Sequence, residues 1–109
     1  MTLSEALRRL VESMEEIYGD ALEEIILYGS VARGTDTTES DVDVALLLYP
    51  GTNKDQFNRM IASVSYLELS CDRVLSVVPI DYTRFTEWEN TLPYYKNIRK
   101  DGVILWPAA

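Results

Sequence analysis

Apolar residues recur near the start of the chain at spacings of three and four: Leu3, Leu7, Leu10, Met14 and Ile17. That period puts them on one face and predicts an amphipathic helix over 2–18. Thr2 with Glu5 is a capping-box pattern at its start, and Gly19 is a stop at its end. The period then changes. Leu22–Tyr28 is short and apolar and predicts a first strand. A polar, glycine-containing stretch follows from Gly29 to Ser40. Val42–Leu48 is a near-continuous apolar run, as expected of a strand covered on both faces. Pro50, Gly51 and Asn53 break it. Asn53 with Gln56 forms a second capping-box pattern and opens a helix over roughly 54–69, striped by Phe57, Met60, Ile61, Val64 and Leu67. Val74–Ile80 predicts a third strand, with Asp81 or Thr83 capping a short helix after it. Pro93 suits the first turn of a helix running to Lys100 and stopped by Gly102. Val103–Trp106 reads as a last short strand or a tail packed on the sheet. Helices and strands alternate without a linker or repeat. The expectation is one α/β domain over 1–109, a small mixed β-sheet with flanking helices.

Composition narrows the chemistry. With 47% hydrophobic residues in 109, the chain can bury a core without disulfide or metal staples. Its only cysteine, Cys71, excludes an internal disulfide framework, suits a reducing cytoplasm and reads as a small hydrophobe. No apolar run approaches the roughly 20 residues of a membrane span, and no basic stretch leads into a hydrophobic one at the N-terminus. Histidine is absent, which removes Ser-His-Asp chemistry, histidine bases and most zinc sites. Carboxylates, hydroxyls, backbone amides and Lys/Arg remain. A net charge of −8 disfavours docking on a phosphate backbone, so long nucleic acid is not an expected partner. A single nucleotide stays compatible, because a bound cation reverses the local field.

The informative segment is Leu27-Tyr28-Gly29-Ser30-Val31-Ala32-Arg33-Gly34, followed by Ser40-Asp41-Val42-Asp43. In the first half a strand runs into Gly-Ser and a helical turn. Glycine lets backbone approach a ligand closely, and the amides after it form an anion site. Ser30 adds a hydroxyl to the same phosphate, and Arg33 offers a guanidinium one turn on. In the second half, alternate residues of a strand face the same way, about 6.6–6.8 Å apart. Asp41 and Asp43 therefore project together and can converge on one cation or bridge two. Hard oxygen ligands select Mg²⁺ or Mn²⁺ over zinc. Each piece alone is ordinary: Gly-Ser is a common turn, Asp-x-Asp a common strand start, Arg33 a common surface residue. The joint spacing, in its strand–turn–helix–strand context, is what points to function.

Gly29-Ser30-x10-Asp41-x-Asp43 resembles the signature of the DNA polymerase β-like nucleotidyltransferase superfamily, and the fuller string resembles its minimal, stand-alone (MNT) branch. Tyr94-Tyr95-Lys96-Asn97-Ile98-Arg99-Lys100-Asp101-Gly102 is similar to the closing helix of many such domains. The resemblance implies a polymerase β palm-like core, with Gly29 and Ser30 on the triphosphate of ATP and Asp41 and Asp43 on divalent ions. It also implies a third carboxylate on a neighbouring strand. Asp72 is the candidate, at the start of that strand; Asp81, beyond Pro79, is the second choice. The plain alternative for Asp72 is an edge acid paired with Arg73 or solvent.

No residues remain for a second domain that would select an acceptor, so a second chain is expected to complete the site as a homo- or hetero-oligomer. The minimal branch includes the MntA antitoxins of HEPN/MNT toxin–antitoxin systems, which adenylylate a tyrosine of a HEPN ribonuclease. That implies transfer of AMP to a HEPN-type toxin. Transfer to a small molecule and a non-catalytic, nucleotide-binding interaction module are the alternatives. Tyr94 and Tyr95 read as packing residues or a partner surface. Lys96, Arg99 and Lys100 read as a solvated, basic helix end.

Overall fold

The computed structural model describes residues 1–107. Its elements run α1 (Leu3–Tyr18), β1 (Leu22–Tyr28), α2 (Gly29–Arg33), β2 (Val42–Leu48), α3 (Lys54–Cys71), β3 (Leu75–Asp81), α4 (Tyr82–Trp88), α5 (Pro93–Asp101) and β4 (Val103–Trp106). The four strands form one mixed sheet in the order β3-β2-β1-β4. β1 lies antiparallel to β2 and β4, whereas β2 and β3 are parallel and need the α3 crossover between them. The α/β expectation holds, and Val103–Trp106 is a strand rather than a tail. None of the described helices is long and apolar enough to cross a membrane.

Both anticipated caps form. The Thr2 hydroxyl accepts from the Glu5 amide at 3.1 Å, and Asn53 with Gln56 makes a reciprocal capping box. α3 runs two residues further than its apolar stripe suggested, to Cys71. Asp72 ends it in the left-handed conformation (φ 54°), which aspartate tolerates better than most residues. Only part of the predicted stripe faces inward: Met60, Val64 and Leu67 are buried, while Phe57 and Ile61 are exposed.

The sheet divides the interior in two. On one face Leu10, Met14 and Ile17 of α1 and Met60, Val64 and Leu67 of α3 pack over Ile25, Leu27, Val42, Val44, Leu46 and Leu75. The other face carries a smaller cluster of Ile26, Ala45, Leu47 and Ile80 under Phe85 of α4 and Ile98 of α5, edged by Tyr28, Tyr82 and Tyr95. Arg99 holds α5 down. Its guanidinium donates to both carboxylate oxygens of Glu24 on β1 at 3.0 and 3.2 Å and stacks 5.1 Å from the Phe85 ring centre. The anticipated solvated basic helix end is therefore, at Arg99, a tether. Gly102 lets β4 begin directly against β1, since a Cβ there would run into the Ile98 carbonyl and Ile26.

Candidate active site

Strand alternation decides which way each acid points. Val42 and Val44 enter the α1/α3 core, so Asp43 between them faces the α4/α5 side. Asp41 precedes β2, is exposed and has the same parity. β1 delivers Tyr28 directly opposite Asp43 in the antiparallel register and then turns into α2. At that turn Gly29 has φ +78°, and its missing side chain matters. A Cβ there would fall on Oδ2 of Asp43 and lie 3.2 Å from its Cγ. The start of the Gly-Ser turn and the second aspartate are thus in van der Waals contact, a closeness only glycine permits.

Ser30 is half-buried in α2, and its carbonyl accepts from the Thr35 amide at 3.0 Å, which closes the turn. α2 has only five residues, so it contributes directed amides and one hydroxyl rather than a large helix dipole. Arg33 in its last turn lies 3.8 Å from Asp101 of α5 and is near enough to Asp43 to oppose the rise in that acid's pKa. Gly29, Ser30, Arg33, Asp41 and Asp43 therefore gather at one end of the sheet.

The electrostatics show a site short of positive charge. Neither Asp41 nor Asp43 belongs to any ion pair among the described residues. Burial, then the neighbouring Asp41 charge, push the Asp43 carboxyl above its usual range, with Arg33 pulling the other way. Tyr28 donates to or accepts from the Tyr94 hydroxyl at 2.7 Å. Burial, that hydrogen bond and the Asp43 charge hold the Tyr28 hydroxyl protonated well beyond the ordinary tyrosine range. The Tyr28–Tyr94 pair forms a wall of the site, its rings edge to face.

Asp72 does not join the pair. It caps α3 on the α1/α3 side of the sheet, three residues before β3 begins, beside Ser65, Glu68 and Leu69. Nor does it pair with Arg73, whose guanidinium meets Asp36 instead. Asp81 sits at the far end of β3, opposite Leu48, and is committed to capping α4 through the Thr83 and Arg84 amides. Opposite Asp43 on β3 stands Ser76, which faces the same side. Among the described residues no cluster of three His, Cys, Asp or Glu side chains forms. The register that puts Ser76 in that place comes from long-range strand pairing, which no local pattern encodes.

Two free carboxylates, one half-buried, with room left by a glycine, fit a divalent cation. Mg²⁺ in particular is usually held by one or two carboxylates, with waters and substrate phosphates filling its shell.

A family model described as a nucleotidyltransferase domain matches residues 7–105. The chain belongs to this nucleotidyltransferase family. Two proteins of Methanocaldococcus jannaschii are similar to it. "Putative protein adenylyltransferase MJ0141" is 32% identical over 84 residues, 77% of this chain and 83% of that protein. "Putative protein adenylyltransferase MJ0604" is 26% identical over 106 residues, 97% of this chain and all of that protein. Among solved structures, a toxin–antitoxin crystal structure with AMP-PNP superposes with a TM-score of 0.58 at 18% identity, over 92% of this chain and 73% of the other. That likeness supports the fold.

Within this nucleotidyltransferase, sequence reasoning missed two features besides Ser76. Tyr28 carried the signal of standing immediately before Gly29, but its link to Tyr94 spans 66 positions. Arg73 carried none, because its partners lie 33 to 37 positions away.

Proposed function

We propose that this nucleotidyltransferase moves AMP from ATP, with Mg²⁺, to a tyrosine hydroxyl of a HEPN-type toxin and so acts as its antitoxin. The observation that carries the reading is the unpaired Asp41/Asp43 couple set against Gly29. The names of the two relatives support a protein acceptor. The toxin–antitoxin neighbour with AMP-PNP supports both the nucleotide and the class of partner.

In this reading Asp41 and Asp43 hold the metal, and the amides after Gly29, the Ser30 hydroxyl and Arg33 take the phosphates. A divalent ion held by Asp41 and Asp43 would supply neutralisation of charge on the reacting oxygens. The acceptor hydroxyl gives up its proton to solvent water, its oxygen forms a bond to the α-phosphorus, the bond to the pyrophosphate oxygen breaks, and pyrophosphate leaves. Positioning and charge neutralisation do most of the work in such transfers, so a chain without histidine can manage it. The Tyr28–Tyr94 wall limits the side from which an acceptor enters.

The test is to mix the chain, a HEPN-type protein encoded beside it, Mg²⁺ and ATP labelled at the α-phosphate. Label should appear on a toxin tyrosine and fall on the order of 10³-fold with Asp41→Ala/Asp43→Ala. A stable, unlabelled complex that protects equally well after both substitutions would sink the reading. Label found solely on an added small molecule would transfer it to a different acceptor class.

A further inference from the structure

We propose that Arg73 is a positioning residue that fixes Asp41 by clamping the loop between α2 and β2; the inference rests on the metal-holding role just assigned to Asp41. The two aspartates are held differently. Asp43 lies inside β2, paired with Tyr28 on one side and Ser76 on the other. Asp41 lies outside the strand, at the end of a polar loop, and borrows its order from elsewhere.

The source is the dipeptide Arg73-Val74, in the turn between α3 and β3. Nη2 of Arg73 lies 3.2 Å from the Ser40 carbonyl, 3.3 Å from the Thr37 carbonyl and 3.3 Å from Oδ2 of Asp36. The Val74 carbonyl accepts from the Val42 amide at 2.8 Å. Ser40 and Val42 flank Asp41, so both neighbours of the acid are tied to one dipeptide while its own carboxylate stays out of every ion pair among the described residues.

The arrangement goes beyond surface pairing. The Arg73 side chain is only 14% exposed, and its Nε is buried with no hydrogen-bond partner among the described residues. Burying a guanidinium is costly unless its contacts are specific. Here they converge on one loop, whose own hydrogen bonds are local: the Ser40 amide to the Thr37 carbonyl, and the Thr37 amide to the Ser40 hydroxyl. Those bonds shape a turn but do not attach it to the sheet. Arg73 makes that attachment through one nitrogen, Nη2, and a lysine there would keep a charged donor on a shorter, differently shaped side chain.

The experiment measures Mn²⁺ affinity of the full chain by paramagnetic relaxation of water, amide exchange over residues 35–42, and kcat and KM separately for nucleotide transfer. Arg73→Gln should weaken Mn²⁺ binding about tenfold and speed exchange at Asp41 and Val42, with β1 and α3 unchanged. The loss should fall on kcat, with acceptor KM held, and Arg73→Lys should recover part of it. Should Arg73→Gln fail to fold, Asp36→Asn breaks the same clamp from the loop side and should shift affinity and exchange in the same direction. A folded Arg73→Gln or Asp36→Asn chain with wild-type Mn²⁺ affinity and wild-type loop exchange overturns the proposal. A wild-type chain that binds no Mn²⁺ overturns the assigned function itself, and with it this role for Arg73.

Discussion

The two faces of the sheet do different work. The α1/α3 face is closed by two long helices and lined almost wholly by aliphatic side chains. The α4/α5 face is covered by shorter helices, edged with tyrosine, and open at the end where Asp43 emerges. One strand serves both: β2 gives Val42, Val44 and Leu46 to the closed face and Asp43 to the open one. The closed face can hold a strand firmly enough that an electrostatically unfavourable acid stays where the proposed function needs it.

Four substitutions break or sharpen that contrast. The largest effect is expected on the closed face. Leu46 is fully buried, so Leu46→Ala should cost about 2–5 kcal/mol by chemical denaturation. Transfer per folded molecule should barely change; a large fall in kcat without loss of stability would erase the distinction between the faces. On the open face the order reverses. Gly29→Ala puts a methyl on the Asp43 carboxylate at a positive φ. It should lower kcat roughly 10²-fold, about 2.7 kcal/mol of barrier, with a smaller loss of stability. Wild-type kcat in that variant would show that the close approach is idle.

Ser76→Asp adds a carboxylate beside Asp43. It should tighten Mn²⁺ binding several-fold, about 1 kcal/mol, at the cost of a lower Tm in metal-free buffer. Unchanged affinity would mean the two side chains do not share a cation. The smallest effect is linked to pH. Asp43 has a raised folded-state pKa, so the fold favours its protonated form. The stability this gives is fully present below the unfolded value of 3.8 and is lost as pH rises through the folded value. Asp43→Asn should therefore raise the metal-free Tm at neutral pH by about 1–3 °C, allowing for solvent screening. The gain should vanish below pH 3.8. A gain that persists in acid would point to packing rather than charge.

The same contrast explains what was legible in the sequence. The α1 stripe, the Thr2 cap, the Asn53/Gln56 capping box and the apolar runs of β1 and β2 are local patterns, and each produced its element. Gly29, Ser30, Arg33, Asp41 and Asp43 lie within one strand–turn–helix–strand unit, so their spacing already implied their meeting. What depended on the α3 crossover was hidden. Asp72 looked like the first residue of a strand but ends a helix, because chain reversal there takes a left-handed residue first. Ser76, not an acid, faces Asp43 through a parallel register set by packing. Arg73 looked like a neighbour for Asp72, yet its guanidinium crosses to Asp36.

The Arg73 clamp also bears on the order of folding. Gly29 and Asp43 are joined by a single short loop, so their meeting costs little chain entropy and belongs with the early pairing of β1 and β2. Arg73 reaches its partners across 33 to 37 positions, after α3 has formed and β3 has docked. On the proposed reading, the nascent chain sets Asp43 against Gly29 first and secures Asp41 only when the crossover is complete. If Asp41 and Asp43 hold the ion as proposed, competence to bind it would come late, once the sheet has closed in its native order.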